Sequence, residues 1–523
     1  MELGLLQETY SEKIWHSVIA VLKKNLVPIL GALISGLLAY TFALTNKLVN
    51  LDDLQYLFEK GATIESGRWG LVALSSMFPD YSMPWIYGIL SLLLITAGIC
   101  VCIRMFSIRS KVLQFLLAAI TITFSSQIAT FSYTFTVAPY AVAFLLSVLA
   151  AYYMCCGAKK QRVAGLVCAI LSTGIYQAYI SITASLMVVH LIHEVISTDE
   201  KVQKLLWKGI GYVVFLGVSM GFYWLITKVV WIVSGTNMGD YAEAALQFEL
   251  PKLYANAKRA YTSFFEMLFN GEQLVVNSWA SVLAHYLLVS ISALEAVLWI
   301  WKNRKSGRIL LLLFLIGIMP LSINCMYIFI NKHMIHLLMM YAFVSIYFLA
   351  AVILENGQYL EITRFLSRKY RIWYYDIVLC CFGLIVVSNI YFANEAYLNM
   401  HLQYENTYYF TTSVLTTLQN TPGYTEDSRV ALVGETPRED YWYENYGHLM
   451  VNYGLRGISP NTYSLPRMFE YYNGVSLNFA TEEEIKKLCE TPEFEAMPEY
   501  PNYGCIQTID GIIVIKLSEY IAE

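Results

Sequence analysis

Charge is what this chain has least of. Only 14% of its 523 residues are Asp, Glu, Lys or Arg, where soluble domains carry nearer a quarter. The net charge of −4 leaves no basic footprint, so nucleic acid is not expected as a partner. Several motifs are missing as well: no Walker sequence, no G-x-G-x-x-G, no G-x-S-x-G and no H-E-x-x-H occurs. Nucleotide-driven transport and serine or zinc hydrolysis therefore have no support. The ten cysteines lack metal-ligand spacing; Cys155-Cys156 and Cys380-Cys381 sit in apolar segments with no histidine at zinc-site spacing. No metal is expected.

Hydrophobic residues fill the space that charge vacates, at 57% of the chain, and aromatics reach 15% with 40 Tyr. That composition belongs to a membrane protein with aromatic belts at its interfaces. A spanning helix needs about 20 mostly apolar residues. Segments of that kind run near 26–44, 84–103, 112–131, 137–156, 163–178, 179–196, 209–233, 281–301, 309–330, 334–354 and 373–392. These predict about eleven crossings, with 163–196 either two spans or a re-entrant pair. The polar start, Met1 to Lys24, and the lack of a small-residue exit after the first span predict an uncleaved anchor.

Positive charge orients the spans. Twenty Lys and Arg fall in one set of loops and eight in the other before residue 393. The rule that basic loops stay inside predicts a cytoplasmic N-terminus and an extracytoplasmic C-terminus. Two outer loops, 45–83 and 234–280, are long enough to carry function. The first reads as interfacial amphipathic helices, the second as helical over Tyr241–Phe248 and Leu253–Phe265. Residues 1–393 form the membrane domain. Residues 394–523 are polar and predict one small α/β domain, with a helix over Tyr404–Gln419, strands at Arg429–Val433 and Ile509–Leu517, and a Thr-capped helix at Thr481–Cys489. Cys489 and Cys505 lie in that part, where they either form a disulfide or stay free.

Asp52-Asp53 follows the first span directly. On a helix the two carboxylates point about 100° apart and so serve different partners. Either the pair caps the helix that follows, or one acid removes a proton from a reacting hydroxyl. Arg68 beside Trp69 offers a phosphate clamp next to a sugar-stacking ring, or else an interfacial Trp with a snorkelling Arg. Arg259, Lys332 and His333 are among the few basic outer residues; they hold a departing phosphate or pair with nearby acids. Glu65, Tyr133, Gln177, Tyr179 and Asn324 either line a sugar cavity or make interhelical hydrogen bonds.

The acid pair after the first span, the Glu65/Gly67-Arg68-Trp69 stretch and the many-spanning body resemble GT-C type membrane glycosyltransferases. With the tail Met497-Pro498-Glu499-Tyr500-Pro501, Gly504 and the Ile509–Leu517 strand, the chain more closely resembles the bacterial serotype-converting glucosyltransferases, Gtr type II. The resemblance implies an inverting enzyme of the bacterial cytoplasmic membrane that uses no cofactor and no metal. Its donor would be a polyprenyl-phosphate sugar such as undecaprenyl phosphate glucose, and its acceptor a cell-surface glycan such as O-antigen. Its functional partners would be a flippase and a cytoplasmic synthase of the lipid-linked sugar. Carried over to this chain, the base is Asp52, with Asp53 second. A lipid-linked sugar flippase, or a polymerase or ligase using diphosphate-linked glycans, are the alternatives.

Overall fold

The computed structural model describes residues 10–59, 61, 64–239, 243, 250–269, 279–304, 306–330, 335–356, 368–434 and 465–519. Helices occupy every apolar segment picked out above. They are α1 (Tyr10–Lys24), α2 (Leu26–Thr45), the short α3 (Leu51–Gln55) and α4 (Trp69–Ser75), α5 (Pro84–Met105), α6 (Lys111–Thr123), α7 (Ser125–Phe131), α8 (Thr134–Cys156), α9 (Lys159–Ile175), α10 (Ile180–Ser197) and α11 (Val202–Ser234). Then come α12 (Leu253–Phe269), α13 (Trp279–Lys302), α14 (Arg308–Ile323), the 3-10 run Leu337–Val344 that leads into α15 (Ser345–Asn356), and α16 (Arg368–Gln419).

Among the described residues, eight helices are long and apolar enough to cross a bilayer alone, or nine if the bent α6–α7 pair is one span. The chain is a multi-pass membrane protein. The expected count of about eleven exceeds these because two segments are short. The first turn of α9 carries Lys159, Lys160 and Arg162, which shortens its apolar part. Helix α14 has Pro320 inside it and stops at Ile323. The 163–196 segment is two helices, α9 and α10 with its leading turn Gln177–Tyr179, joined where Tyr176 is extended. Phe124 breaks α6 from α7 in the same way, bending the pair by 47°.

Burial separates the centre from the rim. In Leu337–Glu355, 83% of the apolar window is buried, against 22% in α11 and in α13. The outward faces of those two, with Val213, Val214, Leu225, Leu294 and Val297, suit lipid.

Among the described residues, loop 45–83 holds the two short helices α3 and α4. In the second loop α12 matches expectation, while Tyr241–Phe248 lies outside the described residues apart from Glu243. Helix α16 passes residue 393 without a break, so Tyr404–Gln419 is the C-terminal end of one 52-residue helix. Four strands follow: β1 (Arg429–Val433), β2 (Asn478–Phe479), β3 (Ile506–Ile509) and β4 (Ile512–Lys516), in the order β2-β1-β4-β3. The single strand expected over Ile509–Leu517 is a hairpin instead. Asp510 and Gly511 both take positive φ, as a two-residue hairpin turn requires. Helix α17 (Leu465–Tyr471), α18 (Glu482–Cys489) and α19 (Pro492–Glu495) complete this part, and Thr481 caps α18 as expected.

The sheet does not stand apart from the membrane portion. One face of it packs on α17 and the end of α16, and the same core takes in Val49 and Leu54 from outer loop one. Cys489 and Cys505 are free thiols, so the disulfide is not formed. Burial pushes the Cys489 thiol up to about 11.

Candidate active site

The chain leaves α2 and turns at once into the acid pair. Asn50 begins α3: its side-chain oxygen accepts from the Asp53 N–H at 2.7 Å, and its amide donates to the Ser132 carbonyl at 3.0 Å. Asp53 is fully buried. Its carboxylate accepts from Lys47 Nζ at 2.5 Å, Ser82 Oγ at 3.0 Å and the Phe135 N–H at 3.1 Å. Three donors, one of them the counter-charge Lys47, engage Asp53 and join the turn after α2, the loop before α5 and the start of α8. A carboxylate so engaged holds structure together and is poorly placed to accept a proton.

Asp52 is the other acid, and it is half-buried. Its charge and that of Arg68 both act on His336, the residue just before the Leu337–Val344 run. Burial pushes the His336 pKa down, Asp52 pulls it back up and Arg68 lowers it further. The charges of an acid and a guanidinium from two separate segments thus both reach a half-buried imidazole on a third. Arg68 is aimed by aromatic rings: Nη1 donates to Tyr140 Oη at 3.3 Å, and the guanidinium lies 5.4 Å from the Tyr176 centroid. Tyr140 and Tyr176 stack at 4.2 Å, with Tyr179 edge-on to Tyr176 at 5.1 Å. Tyr133 is close enough to act electrostatically on Tyr176.

The loop that carries Arg68 is strapped at each turn. Gln177 Nε2 donates to the Ser66 carbonyl at 2.9 Å and to Tyr223 Oη at 3.0 Å. Tyr223 Oη in turn donates to the Gly67 carbonyl at 3.2 Å, and Trp231 Nε1 to the Ile64 carbonyl at 2.9 Å. Gly67 has φ +71°, and a Cβ there would sit 2.9 Å from the Tyr223 hydroxyl. Trp69 lays its indole over Gly174, where a Cβ would come within 2.4 Å of the ring. Gly174→Val should therefore destabilise the protein by about 1–3 kcal/mol through overpacking, read as a lower melting temperature in detergent.

Several expected cavity residues are committed elsewhere. Gln177 and Trp69 build the loop's support, as just described. Asn324 is buried and donates to the Ala260 carbonyl at 3.0 Å, joining α12 to the end of α14. Arg259 bonds Asn256, which donates to the Ile328 carbonyl at 3.1 Å. Glu65 is exposed beside Gly239. The Tyr179 hydroxyl lies against Gln127 and Thr130 of α7. Lys332 and His333 lie outside the described residues. The sequence reading gave no role to Lys47, Ser82, Tyr140 or Tyr176, and a tyrosine inside an apolar segment carries no signal that separates it from core.

The chain is a multi-spanning helical membrane protein in which an acid and an arginine from the segment between α2 and α5 act on one histidine. The chain belongs to the GtrII glucosyl transferase family, whose model matches residues 41–349. The match takes in Asp52, Arg68 and His336, and the strands and helices after α16 lie beyond it. No curated protein and no solved structure matches the chain. It is a membrane glucosyltransferase by family.

Proposed function

We infer that the enzyme moves glucose, with inversion, from a polyprenyl-phosphate carrier to a surface glycan on the outer face of the bacterial cytoplasmic membrane. The match to the GtrII glucosyl transferase family supports this reading above all, beside the joint action of Asp52 and Arg68 on His336. Asp52 takes the proton from an acceptor hydroxyl as its oxygen bonds to the sugar C1. The C1–O bond to phosphate breaks on the opposite face of the ring, and the departing monophosphate is held by Arg68, with the His336 imidazole as a second donor. A monophosphate carries less charge than a nucleotide diphosphate, so fixed cationic and hydrogen-bonding side chains suffice and no divalent metal is required. The loop charges, twenty basic residues on one side against eight on the other, support an outward-facing site.

Full-length protein in nanodiscs, given prenyl-phosphate glucose or a diphosphate-linked oligosaccharide, decides between this reading and a polymerase or ligase. Transfer from the monophosphate donor alone, undiminished by chelator, is the expected result. Flux of the lipid-linked sugar across the bilayer without transfer would make the protein a flippase instead. Arg68→Gln should raise KM for the donor about 10–100-fold, the loss of one charge-assisted contact, with kcat falling less.

A further inference from the structure

The acid pair sits between two hydrophobic residues that pack with the far end of the chain. Val49 and Leu54 are fully buried, in one core with Val414, Leu418, Met468 and Phe469 of α16 and α17. That core is distinct from the one filling the membrane helices, to which Leu48 still belongs. Helix α17 packs directly on α3. The contact continues past α3: Phe58 stands edge-on to Tyr471 at 4.8 Å, and Arg467 reaches Glu59 at 3.6 Å. The charge of Asp53 also acts on Tyr472, the residue after α17, whose ring is edge-on to Tyr404 of α16 at 5.1 Å.

The opposite flank of the turn is held by polar groups. The Ser132 carbonyl accepts from Asn50, while Ser82 and the Phe135 N–H donate to Asp53. A five-residue helix such as α3 has too few internal hydrogen bonds to hold itself, so its partners on both flanks set its orientation. Residues two apart on a helix point about 200° apart. Seating Leu54 in the C-terminal core therefore turns Asp52 to the opposite face, away from that core. Both α16 and α17 lie beyond residues 41–349, the part that the family model matches.

We propose that α17 is a positioning element for the transfer step: it seats Val49 and Leu54 and so aims the Asp52 carboxylate at the acceptor hydroxyl. The assignment rests on Asp52 being the base, as read above.

Full-length Leu54→Ala, Met468→Ala and Tyr471→Ala proteins in nanodiscs test it, each made with and without Asp52→Asn. Binding of prenyl-phosphate glucose counts the folded sites. Single-turnover transfer to surface glycan extracted from the source cells is then measured per site. Each variant should lose about 10–100-fold in kcat while KM for the donor stays within about twofold. Leu54→Met, which conserves volume, should restore most of the rate. In the Asp52→Asn background the same substitutions should cost no more than about twofold, because no base is left to aim. Tyr471→Ala leaves the core side chains in place and carries the test if the other two fail to fold. Wild-type kcat per site in the folded variants overturns the proposal, as do losses that multiply with that of Asp52→Asn; in both cases Asp52 stands as the base. Normal turnover by Asp52→Asn alone removes the base and the positioning role together.

Discussion

Asp52→Asn is expected to lose about 10²–10⁴-fold in kcat, about 3–5 kcal/mol of barrier, while still folding and binding the prenyl-phosphate donor. The argument rests on the difference between two neighbouring acids. Asp53 is fully enclosed by Lys47, Ser82 and the Phe135 N–H, whereas Asp52 is half-buried and its charge acts on His336. Asparagine keeps the size and hydrogen-bonding reach of the side chain and removes only its basicity. Single-turnover transfer measured beside donor binding separates the two effects. A variant turning over near the wild-type rate would end the assignment of Asp52 as base.

Lys47→Met should cost about 3–5 kcal/mol of stability, because it leaves the buried Asp53 charge without its partner at 2.5 Å. Ser82 and the Phe135 N–H soften that loss but do not replace the positive charge. Replacing both ends, as Lys47→Met with Asp53→Leu, should recover most of it, since an apolar pair avoids the desolvation penalty. Thermal unfolding of the two single variants and the double, in the same detergent, gives the coupling directly. A melting point unchanged by Lys47→Met would show that the ion pair contributes little.

Much of the architecture was written plainly in the chain. Long apolar runs leave no choice but helices in a membrane, and each such run is helical among the described residues. Span lengths were harder. Hydropathy averages over a window, so it gives no sign that Phe124 takes an extended ψ of 144° and breaks a span. The Asp510–Gly511 hairpin was legible and was passed over in favour of one strand. At the site, the sequence pointed to Asp52 and Arg68, because scarce charges beside a membrane need a reason. For Gln177 and Asn324 it left a cavity or a hydrogen bond open, and both bond backbone carbonyls, since which polar group finds a partner depends on segments far apart in sequence. Nor could it bring His336 to Asp52, which are 284 positions apart in the chain.

The core that encloses Val49 and Leu54 also contains Leu517, almost the last described residue. A ribosome must therefore build the chain as far as Leu517 before the segment that flanks Asp52 can complete its packing. A polypeptide stopped short of that residue could insert its helices yet would leave Val49 and Leu54 without part of their core.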